Sequence, residues 1–265
     1  MNGRLRHHAC GSTSHDVASM FHGAPRERRR FPSGVFLYDG GDGRRVLFDT
    51  GYATGRWRTG WRGAVYRRLL PPQVDDEDDV ASRLRQDGVD PASVTHVVLS
   101  HLHPDHVGGV RRFPGATFVV SEGLQRTLTA STLRSGVLPG LLPAWFDRAT
   151  KRVLRDDEFS PRTVHGVEVA AVDLFDDGSY LVMDLPGHAD GHVGALVEGR
   201  VLLAGDAAWG RDLLPEVQRL RAVPRAVQFD ADAYLRTAHT VSLLADAGVR
   251  VVCSHDPVRE TDLLT

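Results

Sequence analysis

The sequence predicts an α/β fold whose chemistry lies at the ends of strands. Residues 94–100 form an apolar, β-branched run that is typical of a buried strand, and residues 230–247 carry apolar side chains at near-helical spacing. Residues 45–49 and 200–206 echo each other, because each is an apolar run that leads to an acidic residue. That repetition suggests two similar halves that face each other.

Composition limits the classes of function. With 265 residues, of which 42% are hydrophobic, the chain can bury a large core. Its 32 basic and 34 acidic residues nearly cancel, which gives no general attraction to nucleic acid or to an anionic membrane. No apolar run reaches the roughly 20 residues of a membrane span, and no signal-peptide core is visible. We expect a cytoplasmic protein, and Cys10 and Cys253 make no disulfide scaffold.

The amino-terminal region is followed by a recognisable hairpin. Histidines are scattered through residues 1–30 with a spacing that fits no metal template, and we expect most of these side chains on the surface or in loops. The arginine-rich stretch 26–30 favours a solvated loop over an anchor for an anionic substrate. Residues 33–38 and 45–48 predict two strands joined by the glycine-rich turn at 39–43.

Between this hairpin and the next strand the sequence allows several interpretations. Asp49 follows the hairpin, where its carboxylate could orient a metal-bound histidine or cap a turn. Residues 52–73 carry tryptophans and arginines, and both a mobile flap and a long surface loop fit them. The acidic run 75–79 favours the first turn of a short amphipathic helix that ends at Gly88.

The most informative stretch follows the central strand. It is the pattern H-x-H-x-D-H, formed by His101, His103, Asp105 and His106. Alternate side chains of an extended segment point the same way, so the first two histidines can reach one metal ion. A turn at Pro104 can direct the other two side chains at a second position. Imidazole and carboxylate suit zinc, iron or manganese, whereas a polar loop that is merely rich in histidine is the weaker alternative.

Further strands and helices follow in alternation. Residues 116–120 predict a strand, and Ser121 caps a predicted helix over 122–134. Residues 136–150 are apolar but broken by prolines, and both a lid or pocket wall and simple packing against the sheet fit them. The remaining predictions are strands at 167–172 and 180–185, a hairpin of 194–197 with 201–204, a helix at 230–247 and a last strand at 249–255.

Three isolated residues, His188, Asp206 and His255, each lie just beyond a predicted strand. Alone, each would more often be a turn or core residue. Together with the central motif they complete two metal positions, which consist of His101, His103 and His188 in one case and of Asp105, His106 and His255 in the other. Asp206 would bridge the two positions.

The order of these motifs resembles the metallo-β-lactamase-fold hydrolases. The matching marks, which span residues 33–257, are Asp49-Thr50-Gly51, the H-x-H-x-D-H motif, Pro186-Gly187-His188 with Gly191-His192, Gly205-Asp206 and His255-Asp256. The resemblance implies one domain over residues 1–265, built as a four-layer αββα sandwich with a dinuclear site at one edge. A lid or pocket insertion is expected around residues 124–160. His192 is expected to be structural, because the first histidine of its motif is the ligand in the family.

Within that superfamily the chain is most similar to the quorum-quenching N-acyl homoserine lactonases, through its Ser-His-Leu-His-x-Asp-His context and the long 52–79 segment. The resemblance implies two divalent metal ions that share a bridging hydroxide, with zinc first and iron, manganese or cobalt as alternatives. Asp105 would accept and return the proton. One departure is Trp209, because those lactonases usually carry a tyrosine three positions after the bridging aspartate.

The predicted function is therefore metal-dependent hydrolysis that opens a lactone or cleaves an ester. The partner would be a small-molecule ester, lactone or thioester, with no nucleic acid and no membrane, and a homodimer is left open. A glyoxalase II-like thioesterase is the alternative enzyme. A metal-stabilised binding module is the alternative without activity, although structural zinc sites are usually closed and this ligand set leaves room for water.

Overall fold

The computed structural model describes residues 3–130, 135–138, 140–258 and 262–265, which form two six-stranded sheets. The first sheet contains, in chain order, β1 Arg4–Asp16, β2 Arg28–Asp39, β3 Arg45–Phe48, β4 His96–Val98, β5 Thr117–Ser121 and β6 Lys151–Leu154. The second contains β7 Ser160–Val164, β8 Val167–Asp173, β9 Tyr180–Asp184, β10 Val193–Val197, β11 Val201–Leu203 and β12 Arg250–Val252. Each half of the chain therefore contributes one sheet.

The two sheets meet near the ends of the strands that precede the predicted ligands. In the first sheet β1, β2 and β3 pair antiparallel, whereas β3 to β6 run parallel. In the second sheet β11 and β12 are parallel, and the other neighbours are antiparallel. Backbone hydrogen bonds join the two sheets at this edge, because Val193 N–H donates to the Ser100 carbonyl (3.0 Å) and Gly34 N–H to the Ser254 carbonyl (2.8 Å).

The amino-terminal region is mainly a strand: His7, His8 and His15 lie in β1, and Arg28 to Arg30 begin β2 instead of forming the predicted solvated loop. β1 pairs with β2 along nearly its whole length, with one register shift between Ala9 and Ser12. His8 is buried rather than on the surface. The sequence did not reveal this strand, because Thr13 is its only β-branched residue and it contains no Phe, Tyr or Trp. Its ladder of hydrogen bonds with β2 runs from Arg4 opposite Asp39 to Asp16 opposite Arg28.

Helices cover the outer faces of both sheets. They are α1 Val17–Met20, α2 Gly60–Leu69, α3 Val80–Gln86, α4 Pro104–Val107, α5 Glu122–Thr129, α6 Ala222–Ala226 and α7 Ala231–Asp246. The outer core of the first sheet includes Leu84 of α3 and Leu124 of α5. The outer core of the second sheet includes Tyr234 and Val241 of α7. In each case the apolar face of a helix is removed from water against the strands.

A third core lies between the sheets and completes the predicted architecture. Phe36 and Phe48 of the first sheet meet Tyr180 and Val182 of the second, and all four side chains are buried. Helix, sheet, sheet and helix therefore succeed one another in four layers. The predicted αββα sandwich is confirmed.

Most local predictions are confirmed as well. Both hairpins form, as β2 with β3 and as β10 with β11. Ser121 caps α5 by accepting a hydrogen bond from Leu124 N–H at 3.1 Å. That helix ends at Thr129 with Ala130 as its C-cap, earlier than the predicted end at 134, and residues 131–134 of the predicted range lie outside the described residues. The short helix after the acidic run also forms, but the run precedes its first turn: Asp76–Asp78 form a 3₁₀ turn, Asp79 caps α3, and α3 ends at Gln86 rather than at Gly88. The sequence did not predict β6 and β7.

Two segments had alternative interpretations in the sequence. Residues 52–73 contain α2, so neither a flap nor a loop describes them fully. In the 136–150 segment Val137, Leu141 and Phe146 are buried in the outer core of the first sheet, which favours simple packing. Pro139 lies outside the described part of the chain. In the ranges that the structure covers, no helix combines the length and the apolar character needed to cross a bilayer.

Candidate metal centre

The strand ends bring together all seven predicted ligands. The central motif follows β4, and the second sheet adds one residue after each of β9, β11 and β12. Candidate ligand atoms lie within 4.8 Å of one another in three groups, namely His101, His103 and His188, then His101, His106 and Asp206, then Asp105, His106 and His255. Six of the seven residues are buried, and His103 is half-buried.

The first position consists of three imidazoles that face one another. His103 Nδ1 lies 3.1 Å from His188 Nε2. The ring of His101 lies 4.4 Å from that of His103 and 4.7 Å from that of His188, measured between centroids. Gln228 Oε1 lies 2.9 Å from His188 Nδ1. Because that nitrogen donates to the amide oxygen, the lone pair of His188 Nε2 points into the centre.

The second position combines a carboxylate with two imidazoles. Asp105 Oδ2 lies 3.6 Å from His106 Nε2 and 3.8 Å from His255 Nε2. Asp206 lies between the two positions. Its Oδ2 is 3.3 Å from His255 Nε2 and 3.4 Å from His188 Nε2, while its Oδ1 is 3.5 Å from His106 Nε2. This contact with both groups fits a bridging carboxylate.

Asp49, directly after β3, supports the central motif from outside. Its carboxylate accepts hydrogen bonds from Ser100 N–H (2.8 Å), from Ser100 Oγ (2.7 Å) and from His106 Nδ1 (2.7 Å). The backbone of Asp49 has a φ of 60°. That left-handed conformation costs about 1–2 kcal/mol in a residue with a Cβ atom, and here it accompanies three hydrogen bonds. The contacts favour an orienting role over a turn cap.

Backbone groups orient two further histidines. His255 Nδ1 donates to the Pro32 carbonyl at 2.7 Å, which leaves Nε2 facing the centre. His192 Nδ1 donates to the Leu185 carbonyl at 2.7 Å, and its Nε2 accepts from the Asp206 N–H at 3.0 Å. Both ring nitrogens of His192 are therefore engaged with the chain. That arrangement is the one expected of a structural histidine.

Burial and charge divide the histidines into two kinds. At the first position burial lowers the pKa of His101 and His188, and it lowers the pKa of His103 to about 3. These three imidazoles are neutral at pH 7. Their nitrogen lone pairs are then available to a cation without the loss of a proton.

At the second position nearby carboxylates raise the pKa of the histidines by more than burial lowers it. Burial opposes the protonation of His106, but Asp105 and Asp49 raise its pKa to about 10. For His255 burial is again the largest single effect, and Asp206 and Asp105 together raise its pKa to about 9. Burial raises the pKa of Asp206, but His255 and His106 hold that pKa well below its ordinary value.

These residues fit divalent metal ions. His101 Nε2, His106 Nε2 and Asp206 Oδ1 are buried, and none has a hydrogen-bond partner among the described residues. A buried polar atom without a partner costs about 1–3 kcal/mol, and cations at the two positions would satisfy all three atoms. Imidazole nitrogen and carboxylate oxygen are also the ligands that zinc prefers in hydrolases.

Two features of this region had no clear signal in the sequence. Gln228 is fully buried and reaches His188 from 40 residues away, and nothing in the local pattern marks a lone glutamine for that role. Trp209 packs in the outer core of the second sheet, with its ring 6.2 Å from that of Phe21. The partner ring belongs to a region whose structure the sequence did not predict.

Comparison with known proteins identifies the family. The sequence matches the family model of the metallo-beta-lactamase superfamily over residues 28–255. The chain belongs to this superfamily. N-acyl homoserine lactonase AttM of Azorhizobium caulinodans is 33% identical over 232 residues, which cover 85% of this chain and 79% of AttM. AttM of Agrobacterium fabrum is 31% identical over 235 residues with the same coverage. The predicted resemblance and the predicted class, a metal-dependent hydrolase, are confirmed.

Solved structures share the superfamily fold. A variant of AiiA from B. thuringiensis, with N-decanoyl-L-homoserine at its active site, has a TM-score of 0.69 at 17% identity and covers 96% of this chain and 93% of its own. AidC, a dizinc quorum-quenching lactonase in complex with a product, has a TM-score of 0.60 at 15% identity. The match covers 96% of this chain and 85% of the AidC chain. At such identities the likeness establishes the fold alone.

Proposed function

We propose that this protein opens the lactone ring of N-acyl homoserine lactones with two divalent metal ions, zinc by preference. The observation that carries the proposal is the placement of Asp206 between a three-histidine group and an Asp-His-His group. The substrate class is supported by a relative named as an N-acyl homoserine lactonase at 33% identity. The cytoplasmic address and the homodimer stay predictions from the sequence.

The residues divide the work of hydrolysis between them. When bound, two such cations supply a water of lowered pKa and polarise a carbonyl oxygen. Asp105 is placed to move the proton, because its carboxylate lies within the second position and its backbone carbonyl accepts a hydrogen bond from Ser33 Oγ, which holds the residue in place. It would accept the proton of the attacking water and return it to the leaving alkoxide.

An exposed apolar patch beside the centre suits the acyl chain. Val223, Val227 and Phe229 are 74%, 52% and 58% exposed. Phe229 N–H donates to the His188 carbonyl at 3.1 Å, so the patch begins next to the first metal position. Exposed apolar groups at the rim of a polar site are typical of binding surfaces. A substrate with a polar ring and an apolar tail would use both regions.

Turnover of three substrate classes tests this function. We expect the zinc-loaded protein to open a long-chain N-acyl homoserine lactone with a kcat/KM above about 10⁴ M⁻¹s⁻¹. A simple ester and a thioester are assayed in parallel under the same conditions. Faster turnover of the thioester would favour the glyoxalase II-like alternative. A folded protein that holds two metals and hydrolyses none of the three would favour the binding module.

A further inference from the structure

Two phenols close to the metal centre have no role in the chemistry described so far. Tyr52 is 2% exposed, and Tyr66, on α2, is half-buried. Their hydroxyl oxygens are 3.1 Å apart, within hydrogen-bond distance. The ring of Trp57 lies 6.1 Å from the Tyr52 ring and 6.0 Å from the Tyr66 ring. The three rings therefore form one packed unit in the outer core of the first sheet.

This aromatic unit is tied to the central motif through the backbone. Thr50 N–H donates to the His106 carbonyl at 2.7 Å, two residues before Tyr52. The segment then passes directly over Gly108, where an added Cβ would lie 1.9 Å from the Ala53 nitrogen. A side chain at position 108 would push the segment away. The glycine thus permits the close approach that places Tyr52 beside the end of α4.

The charges of the centre act on both hydroxyls. Burial is the largest cause that raises the pKa of Tyr52 and of Tyr66, and the carboxylate of Asp105 is the next for each phenol. Asp206 raises the pKa of both as well. The backbone contacts of Thr50 and Ala53 with His106 and Gly108 place the Tyr52 segment next to α4, which carries Asp105 and His106. Both phenols keep their protons at neutral pH.

Counting protons shows that this pair has one donor to spare. Two hydroxyls carry two protons, and the hydrogen bond between them uses one. Within the described part of the chain, neither hydroxyl makes a further hydrogen bond. A buried O–H group without an acceptor is unfavourable, so an oxygen atom of a bound molecule is the natural partner.

We propose that the Tyr52–Tyr66 pair donates its second proton as a hydrogen bond to the carbonyl oxygen of the substrate, an inference that rests on the proposed function. The carbonyl oxygen of a lactone or ester gains negative charge in the transition state. A fixed, buried donor therefore stabilises the transition state more than the ground state. Trp209 does not serve this purpose, because its indole packs against Phe21.

Replacement of each phenol by phenylalanine tests the pair. The variants are Tyr52→Phe, Tyr66→Phe and the double variant, and all of them retain the packing of the rings. We expect the double variant to lose about ten- to a hundredfold in kcat/KM, mainly through kcat. The single variant of the phenol that contacts the substrate should match the double variant, and the other should lose less. The melting temperature and the metal content should not change.

Tyr180→Phe is the matched control. Tyr180 is a buried phenol in the core between the sheets, and its hydroxyl has no hydrogen-bond partner among the residues that the structure describes. Loss of this hydroxyl should leave kcat/KM unchanged. Unchanged kcat/KM in the double variant would overturn the proposal. If the double variant does not fold, unchanged kcat/KM in both single variants would also overturn the proposal. No turnover by the metal-loaded wild type would instead defeat the proposed function.

Discussion

The two proposed metal positions differ in charge before any metal binds. Burial keeps the three histidines of the first position neutral. In the second position Asp105 lies beside His106 and His255, whose pKa values of about 10 and 9 keep both imidazoles protonated at pH 7. A metal ion can therefore enter the first position without displacing protons, whereas it must displace protons to enter the second.

The groups that hydrogen-bond to the histidine ligands from outside the centre differ between the two positions in the same way. His188 of the first position is held by the neutral amide of Gln228, and His106 of the second by the carboxylate of Asp49. A carboxylate partner makes an imidazole a stronger ligand for a cation and also stabilises its protonated form. One centre therefore combines a position that binds a metal without displacing protons with a position that carries charge and can transfer protons.

The largest expected effect comes from neutralising the carboxylate of the second position. Asp105→Asn should lower kcat by about 10²–10⁴-fold, because an amide cannot accept and return the proton. Steady-state kinetics measures kcat, and metal analysis measures the number of metal ions per chain. Asp147→Asn alters an exposed aspartate and serves as the control. A variant with near wild-type kcat and two metals per chain would contradict the assigned role.

Metal affinity should depend on pH at one position and much less at the other. Displacement of up to two protons from His106 and His255 predicts that affinity at the second position rises by up to about a hundredfold per pH unit between about pH 7 and 9. The first position should bind with nearly constant affinity over that range. Competition titrations with a chromophoric chelator at several pH values measure the metal affinities of the two positions separately. An equal pH dependence of metal affinity at both positions would contradict the proposed difference in their protonation.

Asp49→Asn should weaken the second position selectively. The variant removes the charge that supports His106, and we expect a loss of about 10–100-fold in metal affinity there. Asp39→Asn is the matched control, since Asp39 pairs with Arg45 away from the centre. The same titrations provide the measurement. Unchanged affinity at the second position would show that the geometry survives without the charge.

Gln228→Ala should have the smallest effect, and it should fall on the first position. Loss of a neutral acceptor to His188 is expected to reduce metal affinity by about tenfold, the low end for such outer partners. Gln218→Ala, which changes an exposed glutamine, is the control. A loss at the second position instead, or an effect larger than that of Asp49→Asn, would reverse the proposed division.

The sequence by itself determined the ligand chemistry and much of the frame. Four candidate ligands lie in one short stretch, and His188, Asp206 and His255 each follow an apolar run that predicts a strand. Such signals are local, since a strand's side-chain pattern and the residue at its end can be read along the chain. Both hairpins and α7 were predictable for the same reason.

Apart from Asp49, for which the sequence already suggested an orienting role, the tertiary structure alone decided which groups support those ligands. Gln228 meets His188 from 40 residues away, and the Pro32 carbonyl meets His255 from 223 residues away. The pairing of Tyr52 with Tyr66 likewise depends on how α2 packs against the first sheet. Contacts of this kind arise when separate elements pack together, and the pattern within any one element does not encode its partner.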